Sequence, residues 1–112
     1  METIIHNDKA VEVKLDKKLC SGGDFLELIA GSIYDVYILR QEDFDESFFN
    51  LTTGVAGEIL QKASNYRIRM AIVGDFSNLA SKALADFIYE SNRVKQIIFV
   101  ESVEKAMEIF RI

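Results

Sequence analysis

Residues 48–76 read FFNLTTGVAGEILQKASNYRIRMAIVGDF, and this stretch contains the clearest indication of the fold of the chain. It joins a helical pattern to a short run, residues 70–73, in which every side chain is apolar. Short apolar runs of this kind are typical of strands buried on both faces of a parallel sheet. Residues 36–39 and 97–100 repeat the pattern. The sequence therefore predicts three parallel strands that alternate with helices.

The beginning of the chain has a different pattern. Residues 2–7 and 11–15 both read as strands, and Asn7-Asp8 lies between them. Asparagine and aspartate are turn residues, so this pair of strands is predicted to form a hairpin. Residues 21–23 read Ser-Gly-Gly and are predicted to be a loop, and Asp24 is predicted to cap the first helix.

Three more helical patterns follow. They cover residues 56–66 and 81–91 and the C-terminal segment that begins at Ser102, and the chain contains no proline. Alternating strands and helices require right-handed crossovers and a mostly parallel sheet. We therefore predict a single α/β domain over residues 1–112, with an N-terminal β-hairpin, four main helices and a mostly parallel central sheet.

Composition narrows the possible functions. Hydrophobic residues make up 49% of the 112 residues and charged residues 28%, as in an ordinary globular domain. The longest apolar runs are far too short for a membrane span, and the first residues lack the pattern of a signal peptide. A net charge of −5 argues against a nucleic-acid partner. We expect a cytoplasmic protein that binds neither membranes nor nucleic acid.

Catalytic and metal-binding residues are scarce. Cys20 is the only cysteine and His6 the only histidine. A single cysteine cannot form an internal disulfide, which fits a reducing compartment. Zinc sites built from several cysteines and histidines are excluded, and a Ser-His-Asp relay would depend on His6 alone. We assign no catalytic residue, no metal and no cofactor.

Several segments of the second half resemble a bacterial family, domain of unknown function 4180. The matching segments are FFNLTTGVAGEILQKASNYR, AIVGDFS, SKALADFIYESNR and IIFVESVEKAMEI. They occur in order and cover more than half of the chain. The first half resembles the family mainly in its order of elements. The family name implies kinship and carries no activity.

The order of elements is also similar to that of STAS domains, named for sulphate transporters and anti-sigma-factor antagonists. In those domains the turn after the third strand carries an Asp-Ser-Ser-Gly type motif, in which a partner kinase phosphorylates one hydroxyl. Thr52-Thr53-Gly54 occupies this place here, with Leu51 where the aspartate is expected and a six-residue acidic stretch inserted. The resemblance implies a STAS-like fold, a protein partner or self-association, and a regulatory hydroxyl at Thr53, with Thr52 as the other candidate.

The same segment has two physical explanations. In the first, Thr53 caps the helix, and Gly54 and Gly57 let it lie close to its neighbours because they lack side chains. In the second, the hydroxyls and the free amides of Gly54 and Val55 form a helix N-terminus open to an anion or a phosphoryl group. Both explanations remain open at this point.

Polar residues also follow each of the three apolar strands. Asp43 lies after the first, Asp75 and Ser77 after the second, and Glu101 after the third. Ligands of open α/β sheets bind at these carboxyl ends, and carboxylates are ligands that Mg²⁺ prefers. A small-molecule, phosphoryl or magnesium site around Asp75, with or without catalysis, is therefore an alternative. The simpler interpretation is that Asp75 is a turn residue.

Three phenylalanines lie among acidic residues in the loop after residues 36–39. We expect at least two of Phe44, Phe48 and Phe49 to be buried, and an exposed one to anchor a protein partner. We interpret the chain as a non-catalytic binding or regulatory module that contacts another protein. The alternatives are the small-molecule site around Asp75 and a homo-oligomeric subunit that assembles through the aromatic loop.

Overall fold

The computed structural model describes residues 1–79 and 81–112. The strands are β1 (Glu2–Ile5), β2 (Ala10–Lys14), β3 (Val36–Arg40), β4 (Arg69–Val73) and β5 (Ile97–Val100). The helices are α1 (Gly22–Ile29), α2 (Glu46–Phe49), α3 (Val55–Asn65), α4 (Lys82–Val94) and α5 (Val103–Phe110). Two short 3₁₀ turns, Gln41–Asp43 and Leu51–Thr53, flank α2.

The five strands form one sheet in the order β1-β2-β3-β4-β5. β1 and β2 are antiparallel, and Ile4 lies opposite Glu12. The pairs β2–β3, β3–β4 and β4–β5 are all parallel. This arrangement confirms the predicted hairpin and the predicted parallel strands, each to within a few residues at its ends.

The helices are divided unequally between the two faces of the sheet. Phe25 of α1, Ile59 of α3 and Ile88 of α4 belong to one core, on the face that α2 also covers through Phe48. On the opposite face, the helix that supplies the second core is α5, which contributes Ala106 and Phe110. The helix after β4 and the helix after β5 therefore leave the sheet toward opposite faces.

The beginning of α1 differs from the prediction. Ser21 is the N-cap and accepts a hydrogen bond from the Asp24 amide, so the predicted loop at residues 21–23 is wrong and Asp24 lies inside the helix. The amide of Gly22 donates to Glu58 Oε1 of α3 at 2.7 Å. A Cβ on Gly22 would lie 2.5 Å from that oxygen, so any larger residue there would displace the Glu58 side chain from this contact between α1 and α3. This tertiary contact outweighs the poor helix propensity of glycine.

The starts of α4 and α5 agree with the prediction, whereas the N-cap of α3 is Gly54 and not the predicted Thr53. Ser81, Ser102 and Asp45 are the N-caps of α4, α5 and α2, and each side chain accepts a hydrogen bond from a backbone amide of the first turn. Within the described residues, no helix is both long enough and apolar enough to cross a membrane.

Candidate functional site

The Thr52-Thr53-Gly54 segment forms the corner between α2 and α3. Both threonines are exposed. Thr53 Oγ1 lies 2.6 Å from the Ser47 carbonyl oxygen and 2.9 Å from that of Asn50, so it donates its hydrogen to one of them. The same oxygen accepts from the Val55 amide at 3.2 Å. The Thr53 hydroxyl is therefore engaged with the backbone of both helices.

The hydroxyl of Thr52 has a more local role. It donates to Asn50 Oδ1 at 2.7 Å, and that oxygen also accepts from the Thr52 amide. Asn50 thereby caps the 3₁₀ turn that precedes α3. Thr52 does not bond to α2 or α3, so a change at its hydroxyl disturbs fewer contacts than a change at Thr53.

The two glycines of this segment have different surroundings. Gly54 has φ +79°, a left-handed conformation that glycine adopts without strain, and it is the N-cap of α3. Gly57 is exposed, and a Cβ built on it meets nothing within 4 Å. The predicted packing role is therefore wrong for both glycines. Ala56, which is 1% exposed, is the residue of this turn that faces the core.

Asp43 is not available to a ligand. It is 4% exposed, and its carboxylate accepts hydrogen bonds from the Leu15 amide at 3.1 Å and the Arg40 amide at 2.9 Å. These bonds join the ends of β2 and β3. The carboxylate is thus a structural brace between neighbouring strands, and the candidate role of Asp43 in ligand binding is wrong.

The aromatic loop is also mostly internal. Phe44 and Phe48 are 2% and 1% exposed, as expected for at least two of the three rings, and Phe49 is half-buried. The rings of Phe44 and Phe48 lie 4.6 Å apart between centroids. Phe48 is therefore not a surface anchor for a partner, and Phe49 offers only part of its ring.

The strand ends of β4 and β5 border an open depression lined by polar and aromatic residues. A cavity of about 710 Å³ opens there. It lies where the helix after β4 and the helix after β5 depart to opposite faces of the sheet. Its lining residues are Gly74, Asp75, Phe76, Ser77, Asn92, Phe99, Val100, Glu101, Lys105 and Ile109. We call this cavity the β4–β5 crevice.

One wall of the crevice is the loop that follows β4. Asp75 Oδ1 accepts from the Ser77 amide at 3.0 Å and from the Ser77 hydroxyl at 2.6 Å. The Ser77 side-chain bond and then its backbone bond lower the pKa of Asp75, so this exposed carboxylate stays ionised at neutral pH. The loop starts at Gly74, where a Cβ would lie 2.5 Å from Gln41 Oε1.

The opposite wall combines α4, β5 and the first turn of α5. Asn92 accepts from the Phe99 amide at 2.7 Å and donates to the Phe99 carbonyl oxygen at 3.2 Å. The Phe76 and Phe99 rings meet edge to face at 5.3 Å between centroids. Glu101 and Lys105 complete this wall with one carboxylate and one ammonium group.

The crevice brings together only part of the predicted set. Asp75 and Ser77 lie together with Glu101, as strand ends of a parallel sheet should, whereas Asp43 is buried beside β2. The sequence-based prediction did not include Asn92 and Lys105, which also line the crevice. The position of Lys105 in the first turn of the helix after β5 can be read from the sequence. No sequence pattern indicates that Asn92 faces β5.

Potential metal ligands are sparse in the crevice. Within the described residues, no three His, Cys, Asp or Glu side chains lie close enough to hold a metal ion together. His6 is part of a separate group: its Nε2 lies 3.0 Å from Glu12 Oε2, and Arg40 donates to Glu12 Oε1 at 2.6 Å. The crevice offers carboxylates, hydroxyl and amide groups, an ammonium and two aromatic rings.

Fold and crevice together define an open-sheet α/β domain with a polar pocket at its strand ends. The chain belongs to the family described as Domain of unknown function (DUF4180), whose model matches residues 5–110. No curated protein and no solved structure matches the chain. The resemblance to STAS domains therefore has no support from these comparisons.

Proposed function

We propose that this protein is a non-catalytic module that binds a small polar molecule in the β4–β5 crevice. The observation that carries the proposal is the position of the cavity, at the carboxyl ends of two adjacent parallel strands whose following helices lie on opposite faces. Ligands of open α/β sheets bind at such a point, because the diverging helices leave a gap above the strand ends. As the sequence predicts, we place this module in the cytoplasm.

The residues of the crevice favour a ligand that donates hydrogen bonds. Asp75 and Glu101 are acceptors when ionised, and they lie in the same cavity. Phe76 and Phe99 add an apolar wall, against which a flat part of the ligand packs. We therefore infer a polyhydroxylated or amino-bearing small molecule, such as a sugar, a nucleoside or a polyamine.

The test is a titration with sugars, ribonucleosides and polyamines, followed by amide chemical shifts. We expect shifts at Gly74, Asp75 and Glu101 with at least one compound. Asp75→Asn and Glu101→Gln should each weaken binding by about tenfold or more, since a hydrogen bond to a charged group contributes about 1.5–3 kcal/mol. Asparagine still supports the turn to Ser77, so the fold should be retained.

Asp8→Asn is the matched control. Asp8 is exposed in the hairpin turn between β1 and β2, at the opposite end of the parallel strands, and its change should leave affinity unchanged. Equal affinity of Asp75→Asn, Glu101→Gln and wild type would refute the proposal. So would a titration with the whole set in which no crevice amide shifts.

A second candidate function is a protein-interaction module regulated by phosphorylation at Thr52 or Thr53. It is supported by the exposure of both threonines next to the N-terminus of α3, where the helix dipole favours negative charge. Mass spectrometry of the protein from its source cell tests it directly. A phosphate on one of these threonines, together with a partner that the matching variant, Thr53→Glu or Thr52→Glu, no longer binds, would support this candidate. A protein modified at neither residue would refute it.

A further inference from the structure

The two edge strands of the sheet, β5 and β1, differ in whether another element covers them. The outer edge of β5 is covered by α4, because Ser91 Oγ donates to the Ile97 carbonyl oxygen and Asn92 bonds to both backbone groups of Phe99. β1 forms the other edge, and all four of its residues are exposed. An uncovered edge strand is a template for pairing with another strand.

The hydrogen bonds of the hairpin show which backbone groups of β1 point outward. The His6 amide donates to the Ala10 carbonyl oxygen at 3.1 Å, and Ile4 lies opposite Glu12. In an antiparallel pair, directly opposed residues alternate between bonded and non-bonded pairs. The backbone groups of Glu2, Ile4 and His6 therefore point toward β2, and those of Thr3 and Ile5 point away from the sheet.

The side chains of β1 are unusually apolar for an open edge. Ile4 and Ile5 are 57% and 63% exposed. Edge strands that remain unpaired are commonly protected by lysine, proline or a bulge. Glu2–Ile5 contains neither lysine nor proline. The strand thus combines free backbone groups with exposed isoleucines on both faces.

We propose that two copies of this chain pair through β1, antiparallel and about a twofold axis at Ile4, so that their sheets become one continuous sheet. In this register Thr3 of each copy lies opposite Ile5 of the other. All the outward backbone groups of Thr3 and Ile5 then form hydrogen bonds. A register centred on Thr3 would instead pair Ile5 with Met1, and one centred on Ile5 would pair Thr3 with Asn7, both outside the strand.

The side chains also match in this register. Ile4 faces Ile4 of the second copy in a non-bonded pair, the type in which side chains approach most closely. Glu2 lies opposite His6 of the second copy on the same face, and Thr3 packs against Ile5 on the other. The carboxylate of Glu2 and the imidazole of His6, which already bonds to Glu12, are complementary partners. The surface is therefore self-complementary, as a twofold interface requires.

Cysteine cross-linking tests the register. In a Cys20→Ser background, Ile4→Cys should form an intermolecular disulfide under mild oxidation, because Cα atoms of a non-bonded pair lie about 4.5 Å apart, within disulfide range. Ile33→Cys is the matched control, since Ile33 is 77% exposed and lies in the loop between α1 and β3. Thr3→Cys should cross-link poorly, because its partner is residue 5. Equal cross-linking of all three variants would overturn the proposal.

Sedimentation velocity tests the interface without introducing a disulfide cross-link. Wild type should reach twice the mass of the chain as concentration rises. Thr3→Pro removes an outward amide that β2 does not use, and proline is tolerated at such edge positions, so this variant should stay folded and monomeric. Thr3→Val keeps the amide and should still dimerise. Circular dichroism and a melting curve check that each variant folds.

A charged residue introduced into β1 gives an independent test of the interface. Ile5→Lys should abolish the dimer, whereas Ile33→Lys, the same change at another exposed isoleucine, should leave it intact. A wild-type chain that remains monomeric at high concentration would overturn the proposal and leave the edge to a strand of another protein. Dimers that survive both Thr3→Pro and Ile5→Lys would place the interface elsewhere and would equally overturn it.

Discussion

Single glycines in this chain have different physical roles. Gly22 is buried where a Cβ would collide with Glu58, Gly54 has φ +79°, and Gly57 is exposed beside open space. The first favours glycine because a larger residue would displace the side chain of its neighbour Glu58, and the second needs glycine because of its own backbone. The third needs it for neither reason. A residue type alone therefore does not reveal which constraint applies at a position.

Alanine substitutions at two of these positions should have opposite effects. Gly54→Ala places a Cβ in the left-handed region and should lower the free energy of unfolding by about 1–2 kcal/mol. Gly57→Ala adds a methyl group in open space and improves helix propensity, so it should raise that free energy by up to about 1 kcal/mol. Urea unfolding of both variants checks this. A destabilised Gly57→Ala would mean that the position has a contact or strain not seen here.

The elements of the fold are joined at their ends and edges by polar side chains. Asp43 braces β2 to β3, and Asn92 of α4 bonds to the backbone of β5. The Asn92 bonds cover an edge that would otherwise be open, and they place the side chain in the β4–β5 crevice. The same residue therefore supports both the sheet and the candidate site.

Removal of the Asn92 side chain should be costly. Asn92→Ala leaves the amide and carbonyl groups of Phe99 without their partner, and an unsatisfied, partly buried group costs about 1–3 kcal/mol. We expect the free energy of unfolding to fall by that amount and the exposed β5 edge to promote aggregation. Asn65→Ala, at the exposed end of α3, is the control and should change little. Identical unfolding curves for both variants would contradict the edge role.

At the scale of the molecule, α5 has two structural roles. It is the helix of the second core, and its first turn forms a wall of the crevice. Phe110, at its other end, is 5% exposed, and the Arg69 guanidinium lies 4.8 Å from the centroid of its ring. The packing of one helix therefore stabilises one face of the sheet and shapes the site at its edge.

Phe110→Ala tests the contribution of α5. Truncation of a buried phenylalanine costs about 3–5 kcal/mol, and here it also removes the contact with Arg69. We expect a large drop in the free energy of unfolding and changes in the amide shifts of Glu101 and Lys105, which lie on the same helix or just before it. Tyr89→Ala, at a side chain that is 74% exposed, should be nearly neutral. A small effect of Phe110→Ala would show that α5 contributes little to the second core.

Local sequence patterns are sufficient to assign most helices and strands of this chain. The short apolar runs, the hairpin turn at Asn7-Asp8 and the serine caps at Ser81 and Ser102 are local signals, so the strands, the parallel sheet and most helix starts were predictable. The convergence of Asp75 with Glu101 was predictable too, because carboxyl ends of parallel strands share one edge of the sheet.

Contacts between side chains that are distant in sequence depend on long-range packing, which local patterns do not predict. The first turn of α1 bonds to Glu58, which is distant in sequence and covers Gly22. Asp43 is a brace because the end of β2 lies beside it, and Asn92 belongs to the crevice because α4 packs along β5. The order of the strands and the face chosen by α5 likewise arise from long-range packing. Periodicity reports which face of an element is apolar, but it contains no information about which element that face will contact.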